Sequence, residues 1–495
     1  MVSACAAALL LRLFHLGHQS LWIDEVVTWQ SAGGLHPVTL RHFLVNVHGP
    51  LHQFVLFVWM RLAGDSEFAL RLPSALAGVA LVPAFAGLAR RLLGPRAGVP
   101  AAWIAALSPF LVWYGQEARN YSFAILFATL AAWAAVRWHQ RAGRADGLLF
   151  VLAAWLGLLS NLNVALVLPV LLAYVALPHD GRKGRPWAAL GAAAALVCLE
   201  SPWLFEYAQR LAWQRLEPGR EALPGEIPLR GATTFSWGAH PFTLYVFSVG
   251  YTLGPTLREL HVASPWRVGL AHWPVVAAAV ALFGALAVRG LVALARRRAT
   301  LALALGVVLV PAACVTYFAL QNFKVFNARY LSAGLAGYYL VLLAGWLGLS
   351  RRARAVAAVL VLGLWGLSLA NHYFVEAYGK EDTRSAAAWL AARIGPADKL
   401  IAAGSGGELS YYWRGRTPEY VHYWLGFAAD SARLRERFVA LAGTDSTAYV
   451  VVSRPFDLDP ERRFERYLRR ERGAEAAEFS GATVYRLAPA PDRTP

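Results

Sequence analysis

Long apolar blocks, separated by short basic clusters, run from the start of the chain to about residue 372. A helix needs about 20 consecutive apolar residues to cross the hydrocarbon core of a bilayer. Blocks near that length lie at 2–16, 68–89, 97–114, 121–138, 147–160, 163–178, 187–206, 268–288, 300–320, 330–349 and 354–372. A helix of a soluble domain keeps a polar face, and most of these blocks have none. The pattern predicts an α-helical polytopic membrane protein with about 11 transmembrane helices. Val2 to Leu16 is short for a span and has no basic stretch before it, so the expectation is a native start upstream rather than a cleaved signal peptide. Segment 40–63 is also apolar, but Arg41, His42, His48, Pro50 and His52 interrupt it. It reads as helix lying in the membrane interface, within the first outer loop.

Beyond the last block the composition changes. Charged residues return, Asp382 to Ile394 has amphipathic helical spacing, and Ala448-Tyr449-Val450-Val451-Val452 is β-rich. The chain therefore divides into a transmembrane domain, 1–372, and a small C-terminal α/β domain, 373–495. Ala488 to Pro495 reads as a loose end.

Charge then orients the spans. The chain has 495 residues, 57% hydrophobic and 16% charged, with a formal charge of +17. Such an excess suits a nucleic-acid binder, but its placement argues for topology instead. Loops around Arg90/Arg91/Arg96, Arg137/Arg141/Arg144, Arg182/Lys183/Arg185, Arg289/Arg296/Arg297/Arg298 and Arg351/Arg352/Arg354 are basic-rich, with only Asp146 and Asp180 as acids. They alternate with poor loops at 115–120, 161–162 and 321–329. The positive-inside rule puts the rich loops in the cytoplasm. Segments 17–67 and 207–267 and the C-terminal domain then lie on the extracytoplasmic face of an inner (plasma) membrane. Cys5, Cys198 and Cys314 stand singly in apolar blocks as packing residues.

Acids are scarce before the C-terminal domain, so their positions carry information. Asp24 and Glu25 follow the first block, in Ser20-Leu-Trp-Ile-Asp-Glu-Val-Val-Thr-Trp. They are either a site, as acids near a membrane often are, or solvated acids favoured by a helix N-terminus. Glu117 and Arg119 lie in Trp113-Tyr-Gly-Gln-Glu-Ala-Arg-Asn-Tyr121, a short outer loop on a rigid scaffold, either as a site or as a local ion pair. Lys324, Asn327, Arg329 and Tyr330 form a third cluster. Lys324 is equally readable as a cation snorkelling to lipid headgroups; Arg329 stands before a span on the side where positive charge is disfavoured. His48 is a further candidate for substrate contact. No HExxH or comparable spacing marks a metal, and a divalent site assembled from distant residues stays open. Trp22, Trp29, Tyr114, Tyr121, Trp237 and Tyr245 line either a cleft or the aromatic belt of the interface. The stretch Pro228 to Tyr251 is a candidate helix over the site.

In this order the clusters resemble the GT-C membrane glycosyltransferases, most closely glycosyltransferase family 39, with its protein O-mannosyltransferases and aminoarabinose transferases of lipid A. His48-Gly-Pro-Leu-His-Gln-Phe is similar to that family's His/Pro-Pro-Leu-Tyr-Tyr segment, with Gly49 and His52 as departures. Gly64-Asp-Ser-Glu-Phe-Ala-Leu-Arg-Leu-Pro-Ser, Tyr114-Gly-Gln-Glu-Ala-Arg-Asn-Tyr and Arg329-Tyr330 match further parts of its pattern. The likeness is densest over 18–125. It implies transfer of a hexose or pentose from a polyprenyl-phosphate carrier to a lipid, glycan or protein acceptor, with membrane lipids as surroundings and no nucleic acid. No cofactor is required.

Chemistry sets the expected roles. Asp24 takes the proton of an acceptor hydroxyl; Arg119, Lys324 and Arg329 stabilise the departing phosphate. Glu25 and Glu117 orient these cations or hold sugar hydroxyls, and His48, Tyr114, Tyr121 and Tyr330 contact substrate. Direct attack inverts the anomeric centre. Two rivals remain: a flippase for a lipid-linked glycan, though its usual internal repeats and broken helices are not evident, and a scaffold whose outer domain binds a partner.

Overall fold

A computed structural model describes residues 1–46, 49–216, 226–228, 235–321, 326–404, 406–413, 418–422, 427–429, 431–443, 446–458 and 462–489. Each apolar block is helical. In chain order the helices are α1 (Val2–Leu13), α2 (Ile23–Ser31), α3 (Leu40–Val45), α4 (Pro50–Ala63), α5 (Glu67–Leu93), α6 (Gly98–Leu107), α7 (Pro109–Gly115), α8 (Tyr121–Arg141), α9 (Arg144–Ser160), α10 (Leu168–Ala176) and α11 (Pro186–Leu216). There follow α12 (Ala239–Val249), α13 (Leu257–Val262), α14 (Pro265–Ala271), α15 (Trp273–Ala295), α16 (Arg298–Leu320), α17 (Leu335–Leu347) and α18 (Arg351–Phe374). Among the described residues seven helices are long and apolar enough to cross a membrane, or up to eight if the bent pair α6–α7 is one span. This is an integral membrane protein. The shorter apolar helices, α1 and the segment Leu162–Ala176, complete the bundle without reaching that length.

The bend between α6 and α7 has a local cause. Pro109 begins α7 and offers no N–H to the preceding turn. The carbonyls of Ala105 and Ala106 accept instead from the guanidinium of Arg12, both at 3.1 Å. Arg12 is fully buried in the bundle. It fits because Gly78 and Gly115 face it: a Cβ there would stand 2.4 Å and 2.9 Å from its Nε.

The region expected as interfacial helix over 40–63 is split into α3 and α4. Gly49, at φ 77°, lies between them, and a Cβ on it would meet Asn120 Nδ2 at 2.4 Å and the Ser160 carbonyl at 2.7 Å. Only glycine suits both the left-handed backbone and that approach. Within Pro228 to Tyr251, the described helix is α12, packed beside α7, α15 and α18.

The two ends of the bundle differ. At one end the basic loops meet: Arg91 bonds Gln140 at 2.9 Å, Arg185 the Ala142 carbonyl at 3.0 Å, Arg297 the Leu92 carbonyl at 2.9 Å, and Arg289 the Gly348 carbonyl at 3.0 Å. At the other end α2, the loop 116–120, residues 327–330 and the start of the C-terminal part come together.

The C-terminal part holds α19 (Thr383–Ala391), capped by Asp382, against a five-stranded sheet. Counting from β1 (Glu226–Pro228) in the outer segment, its strands are β2 (Lys399–Ala403), β3 (Glu419–His422), β5 (Ala448–Ser453), β6 (Glu475–Phe479) and β7 (Ala482–Leu487), in the order β3-β2-β5-β7-β6. β2 runs parallel to β3 and β5, and the β5–β7 and β7–β6 pairs are antiparallel. The expected β-rich run is the central strand β5, buried at every position. β1 pairs antiparallel with β4 (Phe427–Ala429), joining the outer segment to the C-terminal part. Specific polar contacts also seat this part on the bundle. Tyr412 accepts from the Leu21 amide at 2.7 Å, Tyr411 donates to the Asp65 carbonyl at 2.6 Å, and Gln30 bonds Ser410 at 2.8 Å.

Candidate active site

The site is built at the first turn of α2, where acidic side chains suit the partial positive charge of the helix N-terminus. Successive helical residues point about 100° apart, so the adjacent acids Asp24 and Glu25 enter different surroundings.

Asp24 faces the basic clusters of two distant segments. Its Oδ2 lies 2.8 Å from Arg329 Nη1 and 3.7 Å from Arg119 Nη2. Arg119 Nη1 also donates to the Asp24 carbonyl at 2.9 Å and to Thr28 Oγ1 at 2.7 Å. The Asp24 side chain is about a quarter exposed (26%), so it is not sealed in. Burial pushes its pKa up, but Arg119 and Arg329 outweigh that and hold it below the usual carboxylate range. Arg329 stands among aromatic rings, its Cζ 5.9 Å from the ring of Trp22, 5.6 Å from Tyr121 and 5.5 Å from Tyr330. Such faces favour a guanidinium. Arg119 lies 5.9 Å from the Tyr121 ring. The buried Nε–H groups of Arg119 and Arg329 have no acceptor among the described residues. His52, one of the departures from the family pattern, is buried and bonds Ser74, whose hydroxyl donates to the Arg119 carbonyl at 3.0 Å.

Glu25 is fully buried and its oxygens are occupied. Arg71 Nε and Nη2 grip it bidentately, both at 2.8 Å. Lys380 Nζ lies 2.9 Å from Oε2, and the Ala118 amide donates to Oε1 at 2.8 Å. Burial raises its pKa, yet Arg71 and Lys380 bring it down to about 2. Glu117 is also buried, with Lys380 Nζ at 3.9 Å. Here burial prevails and pushes the carboxyl up to about 7. Tyr114 is buried and its hydroxyl is 3.1 Å from that of Tyr251.

The structure thus brings together Asp24, Arg119, Arg329, Tyr121 and Tyr330, and puts Glu25 and Glu117 behind them around Lys380. His48 and Lys324 fall outside the described residues. Trp29 is buried and bonds Asp65 at 3.1 Å, whereas Trp237 is largely exposed. Among the described residues no group of three or more His, Cys, Asp or Glu is arranged to hold a metal ion. Two charged residues at the centre escape the sequence reading. Arg71 had a visible signal, a lone cation inside an apolar block. Lys380 had none, being one of many charged residues in the C-terminal part.

This architecture, a helical bundle with a small mixed-sheet part at the end that gathers acids, arginines and aromatic rings, is similar to that of solved GT-C proteins. The dolichyl-phosphate-mannose-protein mannosyltransferase family model matches residues 47–205. ArnT from Cupriavidus metallidurans in the apo state shares the fold over 98% of this chain and 97% of its own, at 14% identity and a TM-score of 0.59. The apo oligosaccharyltransferase of Archaeoglobus fulgidus does so over 94% of this chain and 70% of its own, at 14% identity and a TM-score of 0.51. No curated protein matches. The expected resemblance to the GT-C glycosyltransferases is borne out by the family model over 47–205 and by the shared fold.

Proposed function

We propose that the chain is an inverting glycosyltransferase that moves a hexose or pentose from a polyprenyl-phosphate carrier to an acceptor hydroxyl, on the extracytoplasmic face of the inner membrane. The observation that carries this reading is the partly open Asp24 carboxylate held between Arg119 and Arg329. A sugar on a lipid carrier stays at the membrane surface, and this constellation lies at the end of the bundle away from the basic loops.

In this reading Asp24 accepts the proton of the acceptor O–H as its oxygen attacks the anomeric carbon. The bond from that carbon to the phosphate oxygen breaks, and its electron pair leaves on the lipid phosphate. Arg119 and Arg329 stabilise this charge as preorganised donors, and their unused Nε–H groups suit additional phosphate oxygens. Their pairing with Asp24 has a further consequence. A bound phosphate competes with Asp24 for both guanidinium groups, which raises the carboxylate's proton affinity when a base is needed. Tyr121, Tyr330 and Tyr114 frame the sugar and donor; His48 and Lys324, outside the described residues, keep the substrate-contact role expected of them. Glu25 and Glu117, buried behind Asp24 and facing Arg71 and Lys380, support the site without touching Arg119 or Arg329. The domain division at 372/373 belongs to the same reading, with the C-terminal domain on the outer face.

The test is sugar transfer in proteoliposomes from a panel of polyprenyl-phosphate sugars, wild type beside Asp24→Asn. A positioned base contributes about 10²–10⁴-fold, and a loss of that size in kcat is expected with normal expression. Full transfer by Asp24→Asn removes the assignment of the base. Movement of lipid between leaflets without any transfer replaces the enzyme with a flippase.

A further inference from the structure

Lys380 comes from the C-terminal part, outside the chemistry just described, yet it ends in the middle of the site's support. Its backbone is fixed first. The Lys380 amide donates to Gln19 Oε1 at 3.2 Å, and Asp382 accepts from Ser20 at 3.2 Å. Arg384 bonds the Gly17 carbonyl at 3.1 Å and pairs with Glu67. The side chain, 9% exposed, then runs inward until its ammonium meets Glu25 at 2.9 Å and Glu117 at 3.9 Å.

Each of those carboxylates is tied to a reacting group. Glu25 is the chain neighbour of Asp24 and also accepts from the amide of Ala118, the chain neighbour of Arg119. One ammonium therefore holds the group that locks both the proposed base and a proposed phosphate ligand, while touching neither. Arg71 already pairs Glu25 bidentately, so Lys380 is the cation that ties Glu25 to the second buried carboxyl, Glu117. We propose that Lys380 is a positioning residue: through Glu25 it fixes Asp24 and Arg119 relative to one another, making the C-terminal part a component of the active site rather than a separate acceptor-binding module. This rests on the glycosyltransferase reading. It uses the fact that rigid placement of reacting groups depends on the residues that lock them.

The geometry also supplies a test. Lys380, Glu117, Gln116, Trp113 and His372 line a common cleft, which truncation of the lysine side chain enlarges. A small ammonium ion can therefore replace the one removed by Lys380→Ala. In proteoliposomes, Lys380→Ala is expected to lower kcat by about 10–100-fold, as a misplacement of about 1 Å can cost 10²-fold. KM for the donor should rise by less than kcat falls, because Arg329 still faces the phosphate, and millimolar methylammonium or Lys380→Arg should restore part of kcat. An unchanged kcat overturns the proposal, as does a joint fall of kcat, donor affinity and melting temperature that neither Lys380→Arg nor methylammonium relieves. If Lys380→Ala cannot be extracted intact, Lys380→Gln is read in the same way. Should the wild type turn over no donor, the glycosyltransferase reading fails instead. Positioning is then judged from an experimental structure of the Lys380 variant. Loss of the contact from Arg119 Nη1 to the Asp24 carbonyl, 2.9 Å in the wild type, supports it, and retention of that contact overturns it.

Discussion

Replacing Glu25 by Gln keeps the size of the side chain and removes one charge from a site where two cations converge. In the wild type Arg71 and Lys380 are satisfied by one carboxylate that is wholly buried. After the change an amide NH₂ faces their donors; Arg71 loses its carboxylate partner and Lys380 keeps only Glu117, at 3.9 Å. Removing one partner of a buried pair costs about 3–5 kcal/mol. The depressed acidity of Glu25 points to the same scale. A pKa taken from 4.5 to about 2 corresponds to about 3 kcal/mol at 1.36 kcal/mol per unit. Because the folded state holds this carboxyl below its unfolded value, its contribution is complete above about pH 4.5 and disappears as pH falls towards 2. Equilibrium unfolding of wild type and Glu25→Gln in mixed detergent–dodecyl sulfate micelles should therefore differ by about 3 kcal/mol at pH 7, with the gap closing in acid. The exposed Arg435–Glu471 pair serves as the control, where Glu471→Gln should cost under about 1 kcal/mol. A Glu25→Gln loss no larger than that control would refute the buried-cage argument.

Glu117 has the opposite sign. Burial raises its pKa to about 7, so the folded chain holds this proton more tightly and its contribution to stability is lost as pH rises through 7. Glu117→Gln should melt above the wild type at alkaline pH and converge with it below about pH 4.5 in melting curves taken across the range; parallel curves would count against that burial. Arg12→Met should uncouple the bend between α6 and α7. The Ala105 and Ala106 carbonyls lose their donor, at about 1–3 kcal/mol for each group left unsatisfied, which thermal inactivation in detergent would register. A variant as long-lived as wild type would mean that another donor takes over the two carbonyls.

The sequence by itself determined the membrane architecture, because a helix in hydrocarbon must be apolar along its whole length and that requirement is written locally. The blocks from 68–89 to 354–372 became helices near their expected bounds, and the basic loops that alternation assigned to one face do meet at one end. The candidates Asp24, Glu117, Arg119 and Arg329 were also legible, since charge is scarce and costly in such a chain. Tertiary structure decided what each charge faces. Asp24 and Glu25 are consecutive, equally acidic and indistinguishable by composition, yet one opens beside Arg119 and Arg329 while the other is buried against Arg71. The helical turn separates them, and only the packing of α5, the loop 116–120, residues 327–330 and the Lys380 segment gives each direction its partners. Lys380 lies further still from any local signal. It enters the site across more than 350 residues of chain because Gln19, Ser20 and Glu67 hold its segment against the bundle, and nothing in the periodicity of the spans records that contact.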